Sequence, residues 1–149
     1  MTYSLSNLIN SVAGALSSLD YPVYDSQTQQ GVETPCFFIS LMPSEISGEP
    51  YDRYFNTVNL DIVFLQDPNI PNATDLIYTV IDYLNEHLAL FDYSDGEETC
   101  KMHGLQRKHH LEEMDLHYQI TIKMRIHIDV EETVLKSLEG IEIEIKERS

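Results

Sequence analysis

Histidines are the residues of this sequence best suited to chemistry, and His109, His110 and His117 lie close together in the chain. A zinc site needs three or four ligands about 2 Å from the ion, and imidazole nitrogens are common among them. His117 and His127 are on one face of a single predicted strand but roughly 33 Å apart, so they cannot share an ion. His109 and His110 point to opposite sides of an extended chain. Solvated histidines are the simpler interpretation; the alternative is a metal-dependent hydrolase that combines His117 with His103, His109 or His110 across a hairpin.

Other catalytic signatures are absent from the sequence. There is no G-x-S-x-G nucleophile elbow, and the six glycines are scattered singly rather than grouped in a phosphate-binding loop. The carboxylate pairs Glu97-Glu98, Glu112-Glu113 and Glu131-Glu132 fall in predicted turns, where they are most simply solvated charge. We therefore predict a protein that is not an enzyme, with no catalytic, cofactor-binding or metal-binding residue.

Positive charge is scarce in the sequence and falls in a few places. Arg107 and Lys108 precede two histidines and form the one basic cluster, which suits either docking onto acidic groups or a solvated strand edge. Tyr51, Tyr54 and Phe55 near Arg53 have the composition of an interface core, although an ordinary sheet face would use the same residues. The residues predicted to contact other subunits or partners are Arg53, Tyr54, Arg107, Lys108, Lys123 and Arg125.

Composition limits the class of protein. The chain has 149 residues, of which 42% are hydrophobic, and we expect one domain spanning residues 1–149. It contains no apolar run of about 18 residues, and its beginning lacks the basic start of a signal peptide, so we expect a cytosolic protein that is not in a membrane.

The charge balance bears on nucleic acids. Nine Lys and Arg stand against 25 Asp and Glu, giving a formal net charge of −16. An acidic surface repels phosphate, whereas binding to nucleic acid requires cations that neutralise it. We therefore predict that the protein does not grip DNA, although it would allow DNA to pass nearby.

The two cysteines, Cys36 and Cys100, lie far apart in predicted strands. Buried free thiols are expected in a reducing compartment, and a disulfide between them stays an alternative.

Hydrophobic periodicity predicts two main helices and several long strands. Apolar residues three and four positions apart predict a helix over 5–19, capped by Ser4 or Ser6, and another over 73–90, capped by Asn72. A run that is apolar on both faces predicts a strand from Cys36 to Met42 covered on both sides. The other predicted elements are strands at 51–65, 99–111, 117–130 and 141–146, a short helix at 131–139, a turn-rich segment at 91–96, a turn at 112–115 and a bulge at Gly104.

The strand over 117–130 is the most regular element, because apolar and polar residues alternate without exception. Such a strand has one buried and one wet face, and at about 3.3 Å per residue it is roughly 45 Å long. This length favours a role in contacts between subunits. With hairpins at 35–65 and 99–130, the order of elements predicts an α+β fold, an antiparallel or mixed sheet with the two main helices packed on one face.

Part of the sequence resembles a known family. After the first helix come Tyr24-Asp25, Gln30-Gly31 and Pro35-Cys36-Phe37-Phe38-Ile39, followed by Arg53-Tyr54 and Asp61-Ile62-Val63-Phe64. These stretches look like those of tail terminator proteins of long-tailed bacteriophages and prophages. The resemblance covers recognisable residues in about 24–64 and the order of elements over most of the chain.

The resemblance implies a structural protein of the virion tail, assembled in the bacterial cytoplasm. It would cap the finished tail tube as a homo-oligomeric ring, a hexamer, stop tube polymerisation and join the tube protein to a neck or head-completion protein. DNA would pass through the ring without being gripped. Another small tail-completion or head-closure protein is the alternative within the same class.

Overall fold

A computed structural model describes residues 2–24, 33–48, 53–67, 69–127, 129–130 and 147–148. It contains two α-helices, a short 3₁₀ helix and ten strands within these ranges. The helices are α1 (Leu5–Ala15) and α2 (Ala73–His87), and Ser17–Leu19 is the 3₁₀ helix. The strands are β1 (Val23–Tyr24), β2 (Cys36–Leu41), β3 (Glu45–Gly48), β4 (Arg53–Leu65), β5 (Leu90–Ser94), β6 (Thr99–His103), β7 (Gln106–Glu112), β8 (Asp115–His127), β9 (Asp129–Val130) and β10 (Glu147–Arg148).

Helix α1 forms where its apolar stripe predicts it. The Ser4 side chain accepts a hydrogen bond of 3.1 Å from the Asn7 backbone N–H, which satisfies one of the free donors of the first turn. Leu8, Val12 and Leu16 lie four residues apart and are fully buried. The regular helix ends before the predicted residue 19, since the chain tightens into the 3₁₀ turn.

Helix α2 buries the stripe formed by Ile77, Val80 and Leu84. The predicted side-chain cap is wrong in one detail. Asn72 occupies the N-cap position, but its side chain makes no capping hydrogen bond there, and its backbone carbonyl accepts from the Leu76 N–H at 3.1 Å. The helix ends at His87 rather than at residue 90.

The main sheet is mixed, with the strand order β1-β2-β4-β8-β7 and with β3 also paired to β4. Only β1 and β2 run parallel among its described pairs. At its centre β4 and β8 are antiparallel from Arg53 opposite His127 to Phe64 opposite Leu116. This arrangement confirms the α+β prediction and the antiparallel pairing of β2 with β4 within 35–65. The additional strand β3, between them in sequence, pairs with the first half of β4.

The predicted 99–130 hairpin is only partly correct. Strands β7 and β8 do form a hairpin, joined by Glu113 and Met114, which both have positive φ, 50° and 75°, as the tight turns of two-residue hairpins require. Strand β6, however, pairs with β5 in a separate two-stranded sheet. The segment predicted as a turn at 91–96 is therefore largely strand, since Phe91 and Tyr93 alternate inward and are buried.

One core lies between the helices and the main sheet. The even-numbered residues of β4 and β8 point to this side, where Leu60 lies opposite Ile120 and Ile62 opposite Tyr118. The buried core residues are Leu8, Val12, Leu16, Phe37, Ile39, Val58, Leu60, Ile62, Phe64, Ile77, Val80, Leu84, Leu88, Phe91, Tyr93, Leu116, Tyr118, Ile120 and Ile122.

Gly104 lies in the connection between β6 and β7 rather than at a strand bulge, which corrects that prediction. Its N–H donates to the Ala89 carbonyl at 3.2 Å. An added Cβ would overlap the Leu88 carbonyl oxygen and lie 2.7 Å from Ile120 Cδ1. Glycine is therefore required by the close approach of this connection to the end of α2.

The end of the chain is described only in part. Strand β8 ends at His127, and Asp129–Val130 pairs with Glu147–Arg148 in a separate antiparallel pair. The predicted helix at 131–139 and strand at 141–146 lie outside the described residues. No helix in the described ranges is long and apolar enough to cross a membrane.

Candidate assembly surface

The main sheet has a second face, which we call the polar face, on the side away from the core. It is formed by the odd-numbered residues of β4 and β8, because successive side chains of a strand point to opposite sides. The opposing pairs on it are Phe55 and Arg125, Thr57 and Lys123, Asn59 and Thr121, Asp61 and Gln119, and Val63 and His117.

One end of this face is apolar. Cys36, Phe38 and Val63 are at most 1% exposed and form a second cluster with Tyr24 and Leu65. The Tyr24 and Phe38 rings pack with their centroids 5.4 Å apart. The first four residues of β2, Cys36 to Ile39, are thus covered on both faces, as the continuous apolar run predicts. The prediction is wrong for the end of the run, since Leu41 is 52% exposed.

The polar face also carries what we call the cationic stripe, the side chains of Arg53, Lys108, Lys123 and Arg125. Lys123, Arg125 and Arg53 lie toward the other end of the face, whereas Lys108, opposite Gln119, lies closer to the apolar end. Their positions in the strand register put all four on the polar face. All four are exposed, and the Arg125 guanidinium lies 4.6 Å from the centre of the Phe55 ring, a cation–π contact. Four of the six Lys and Arg side chains that the structure describes therefore share one surface of an acidic protein.

The predicted pair Arg107 and Lys108 is divided between two surfaces. Lys108 lies opposite Gln119 on the polar face, whereas Arg107 lies opposite Ile120 on the helix side. The Arg107 guanidinium donates a hydrogen bond of 2.6 Å to the Asn85 carbonyl of α2, and Tyr118 donates to the Asn85 side chain at 2.8 Å. Arg107 thus has a role within the subunit, and its predicted interface role stays untested.

Tyr54 also points away from the cationic stripe, because even-numbered residues of β4 face the helices. It lies near Tyr3, whose pKa is raised to about 12, first by burial and then by Tyr93 and Tyr54. The Asn56 side chain donates to the Tyr3 hydroxyl at 3.3 Å. The neighbours Arg53 and Tyr54 therefore serve different faces of the sheet.

A second feature of the polar face is a cluster of imidazoles and carboxylates, which we call the histidine cluster: Asp61, His110, Glu112 and His117. His110 lies directly opposite His117, and their rings are stacked with centroids 5.1 Å apart. Glu112 lies 3.2 Å from His110 Nε2 and 3.3 Å from His117 Nε2, through its two oxygens. His117 Nδ1 lies 2.9 Å from Asp61 Oδ2.

The histidine cluster contains some of the histidines considered in the sequence analysis and not others. His109 lies on the opposite side of β7, where its ring stacks on that of Tyr118 at 6.0 Å. His103 belongs to β6, in the separate sheet. Of the described His, Cys, Asp and Glu side chains, His110, Glu112 and His117 are grouped closely enough to bind one metal ion.

Sequence reasoning missed both carboxylates of the histidine cluster. From sequence, Glu112 is interpreted as solvated charge in a turn, and Asp61 is named only as part of the family resemblance. The alternation of polar and apolar residues in β4 and β8 indicates that Asp61 lies on the polar face. Its contact with His117, which is 56 positions away in the sequence, could be predicted only from the register between the two strands.

The cysteines are free and lie on opposite sides of the main sheet, so they do not form the alternative disulfide. Cys36 belongs to the apolar cluster of the polar face and Cys100 packs against the main core, where it is partly rather than fully buried. Burial, followed by the Asp115 carboxylate, raises the pKa of the Cys36 thiol, which disfavours the reactive thiolate.

A groove of about 550 Å³ is lined by residues of α1, the end of α2, β5 and β6, elements that do not contribute to the polar face. The titratable groups that line it are His87, Asp92 and Lys101. Lys101 is ion-paired to Asp92 at 2.6 Å, and His87 Nδ1 bonds the Tyr83 carbonyl at 3.0 Å. These groups are engaged in local contacts within the fold.

Comparison with known proteins identifies the family of this chain. A search of curated proteins finds no match to the chain. The model of a family described as phage tail terminator protein matches residues 7–134, which include α1 from its third residue, all of α2 and strands β1 to β9. This match covers most of the chain, and the protein belongs to the phage tail terminator family.

Proposed function

We propose that this tail protein caps the end of a completed tail tube as a homo-oligomeric ring, a hexamer, and thereby stops tube polymerisation and joins the tail to the neck. The family match supports a structural role in the tail. The observation that carries the finer proposal is the cationic stripe on the polar face, in a chain whose formal net charge is −16.

Charge complementarity favours contact between the cationic stripe and acidic groups. An identical subunit contains 25 Asp and Glu residues, so a neighbour offers many carboxylates to Lys108, Lys123 and Arg125. Such pairs guide the orientation of docking and weaken with salt. A stripe that meets a different patch on the neighbour makes a heterologous contact, which is the kind that closes rings.

Strand β7 adds an edge to this surface. It is the last strand in the order of the main sheet within the described residues, and all seven of its side chains are exposed. The apolar side chains of Leu105, Leu111 and Met114 beside it are 57%, 44% and 43% exposed. An exposed edge with apolar neighbours favours pairing with another chain.

The acidic balance fits a channel for DNA. If the cationic stripe is buried between subunits or against the tube, the remaining surface is more acidic still. A lumen of this character repels phosphate and lets DNA pass without adhesion. In this proposal the ring lies at the neck-proximal end of the virion tail, and the tail is assembled in the bacterial cytoplasm.

The proposal is tested with tubes polymerised from the tube protein of the same phage or prophage. The wild-type chain should shorten and narrow the distribution of tube lengths in electron micrographs and add a ring at one end. Native mass measurement of the stripped caps should give six copies. Tubes that grow to the same length with and without the chain would overturn the capping function.

A charge reversal locates the surface. Lys123→Glu combined with Arg125→Glu places like charges against the partner, and about tenfold more protein should be needed for capping, equivalent to about 1.4 kcal/mol. Lys101→Glu is the control for the single variant Lys123→Glu, because it makes the same change of charge on β6, away from the polar face. Circular dichroism checks the fold of each variant. Equal capping by the double variant and the control would exclude the cationic stripe.

A further inference from the structure

We propose that the histidine cluster is a binding site for a divalent transition metal ion of the zinc class, with His110, Glu112 and His117 as protein ligands. The inference goes beyond the capping function and does not depend on it. The three donors come from both strands of the β7–β8 hairpin, so a bound ion would fasten its two strands together at the end that carries the turn.

The spacing of the donor atoms suits such an ion. Ligands of a tetrahedral zinc ion bonded at about 2.0–2.1 Å lie roughly 3.3 Å from one another. Glu112 oxygens lie 3.2 Å from His110 Nε2 and 3.3 Å from His117 Nε2. All three donor atoms lie within 4.8 Å of one another. The exposed side chains of His110 and Glu112 need only small rotations to bring His110 Nε2 and His117 Nε2 to a similar distance from each other.

The orientation of His117 is already that of a metal ligand. An N–H at Nδ1 would donate to Asp61 Oδ2 at 2.9 Å, which leaves Nε2 with its lone pair directed at Glu112. A carboxylate behind an imidazole fixes its tautomer and increases its basicity in many metal sites. Asp61 is suited to this place because its side chain is 17% exposed and its Oδ1 is buried without a hydrogen-bond partner among the described residues.

The geometry also favours a cation between His117 and Glu112. With Nδ1–H bonded to Asp61, His117 Nε2 and the Glu112 oxygen would be two acceptors facing each other at 3.3 Å. A proton on Nε2 or a metal ion between the groups removes this repulsion. Two imidazoles with one carboxylate favour zinc and its neighbours over magnesium or calcium, which prefer oxygen donors. The partial exposure of the cluster leaves a coordination position for water or for a donor from a partner.

The test uses the full chain without a histidine tag, freed of metal by dialysis against a chelator. Isothermal titration with ZnCl₂ should show one saturable site per chain. Zinc at about 100 times its dissociation constant should raise the folded-to-unfolded ratio roughly 100-fold, seen as a higher midpoint of thermal unfolding. Co²⁺ should give the visible absorption of a four- or five-coordinate ion with nitrogen and oxygen ligands.

Variants identify the ligands. His110→Gln and Glu112→Gln should each weaken zinc binding by about tenfold or more, and Asp61→Asn should weaken it by a similar factor through His117. His109→Gln is the control, since His109 neighbours His110 but lies on the other face. Loss of binding in the control equal to that in His110→Gln would overturn the assignment. So would a wild-type chain that shows no saturable zinc binding.

Discussion

Replacement of Gly104 by alanine tests how the β7–β8 hairpin is attached to the core. Gly104 is the point at which the chain leaves β6, passes the end of α2 and enters β7, the strand that carries Lys108 and His110. The added methyl group would overlap the Leu88 carbonyl oxygen and lie 2.7 Å from Ile120 Cδ1 and 3.1 Å from Ile120 Cγ1.

The cost follows from which atoms must move. Ile120 can shift the end of its side chain, but the Leu88 carbonyl is backbone at the C-cap of α2, and the Leu88 side chain is fully buried. Overpacking of this kind lowers the free energy of unfolding by about 1–3 kcal/mol. For a chain of this length the midpoint of thermal unfolding should fall by roughly 2–12 °C.

Gly14→Ala provides a control of opposite sign. Gly14 lies in α1, is exposed, and has no atom within 4 Å of an added Cβ. Alanine in a helix is better than glycine by roughly 0.5–1 kcal/mol, so this variant should be more stable than the wild type. Urea and thermal unfolding, followed by far-UV circular dichroism, measure the stability of both variants. Equal effects of the two substitutions, or no loss for Gly104→Ala, would refute the close approach at Gly104.

Two further predictions concern the N-terminal attachment to β5. The buried Tyr93 hydroxyl donates to the Thr2 carbonyl at 2.8 Å and accepts from the Ser4 N–H at 3.1 Å. Tyr93→Phe should therefore lower the free energy of unfolding, measured with urea, by about 1–3 kcal/mol. An unchanged midpoint of urea unfolding would contradict this prediction. Backbone N–H groups of Glu98, Thr2 and Glu97 lower the pKa of Asp95 from 3.8 to about 2. The ionised Asp95 carboxylate therefore contributes fully to stability above pH 3.8, and this contribution is lost as the pH falls through about 2. Thermal unfolding should show that the difference in stability between wild type and Asp95→Asn becomes smaller over that pH range.

The sequence predicts those helices and strands whose hydrophobic pattern repeats over many residues. In α1 and α2 the buried residues are those of the predicted stripes, and in β8 the alternation of Ile120 and Ile122 with Thr121 and Lys123 separates buried from wet residues along the strand. These patterns are local, and burial of an apolar face determines which side of a helix or strand is inward. The resemblance carried by residues 24–64 is confirmed by the family match.

What the sequence could not provide was partner choice between strands. Strand β6 pairs with β5, a five-residue segment whose Asp92 and Ser94 had the composition of a turn. The histidine cluster and the division between Arg107 and Lys108 depend on the register of β7 against β8, which follows from the two-residue turn at Glu113 and Met114. A shift of one residue would place His109 instead of His110 on the polar face.

The same register keeps the two proposals experimentally separate. The histidine cluster lies at the turn end of β8, whereas Arg125 of the cationic stripe is eight residues further along, roughly 26 Å away in an extended strand. A zinc-deficient variant such as His110→Gln thus leaves Lys123 and Arg125 in place, and reversal of those two charges leaves the metal ligands in place. If zinc stiffens β7 as a docking edge, His110→Gln should make capping insensitive to a chelator while the cationic stripe still determines its dependence on salt.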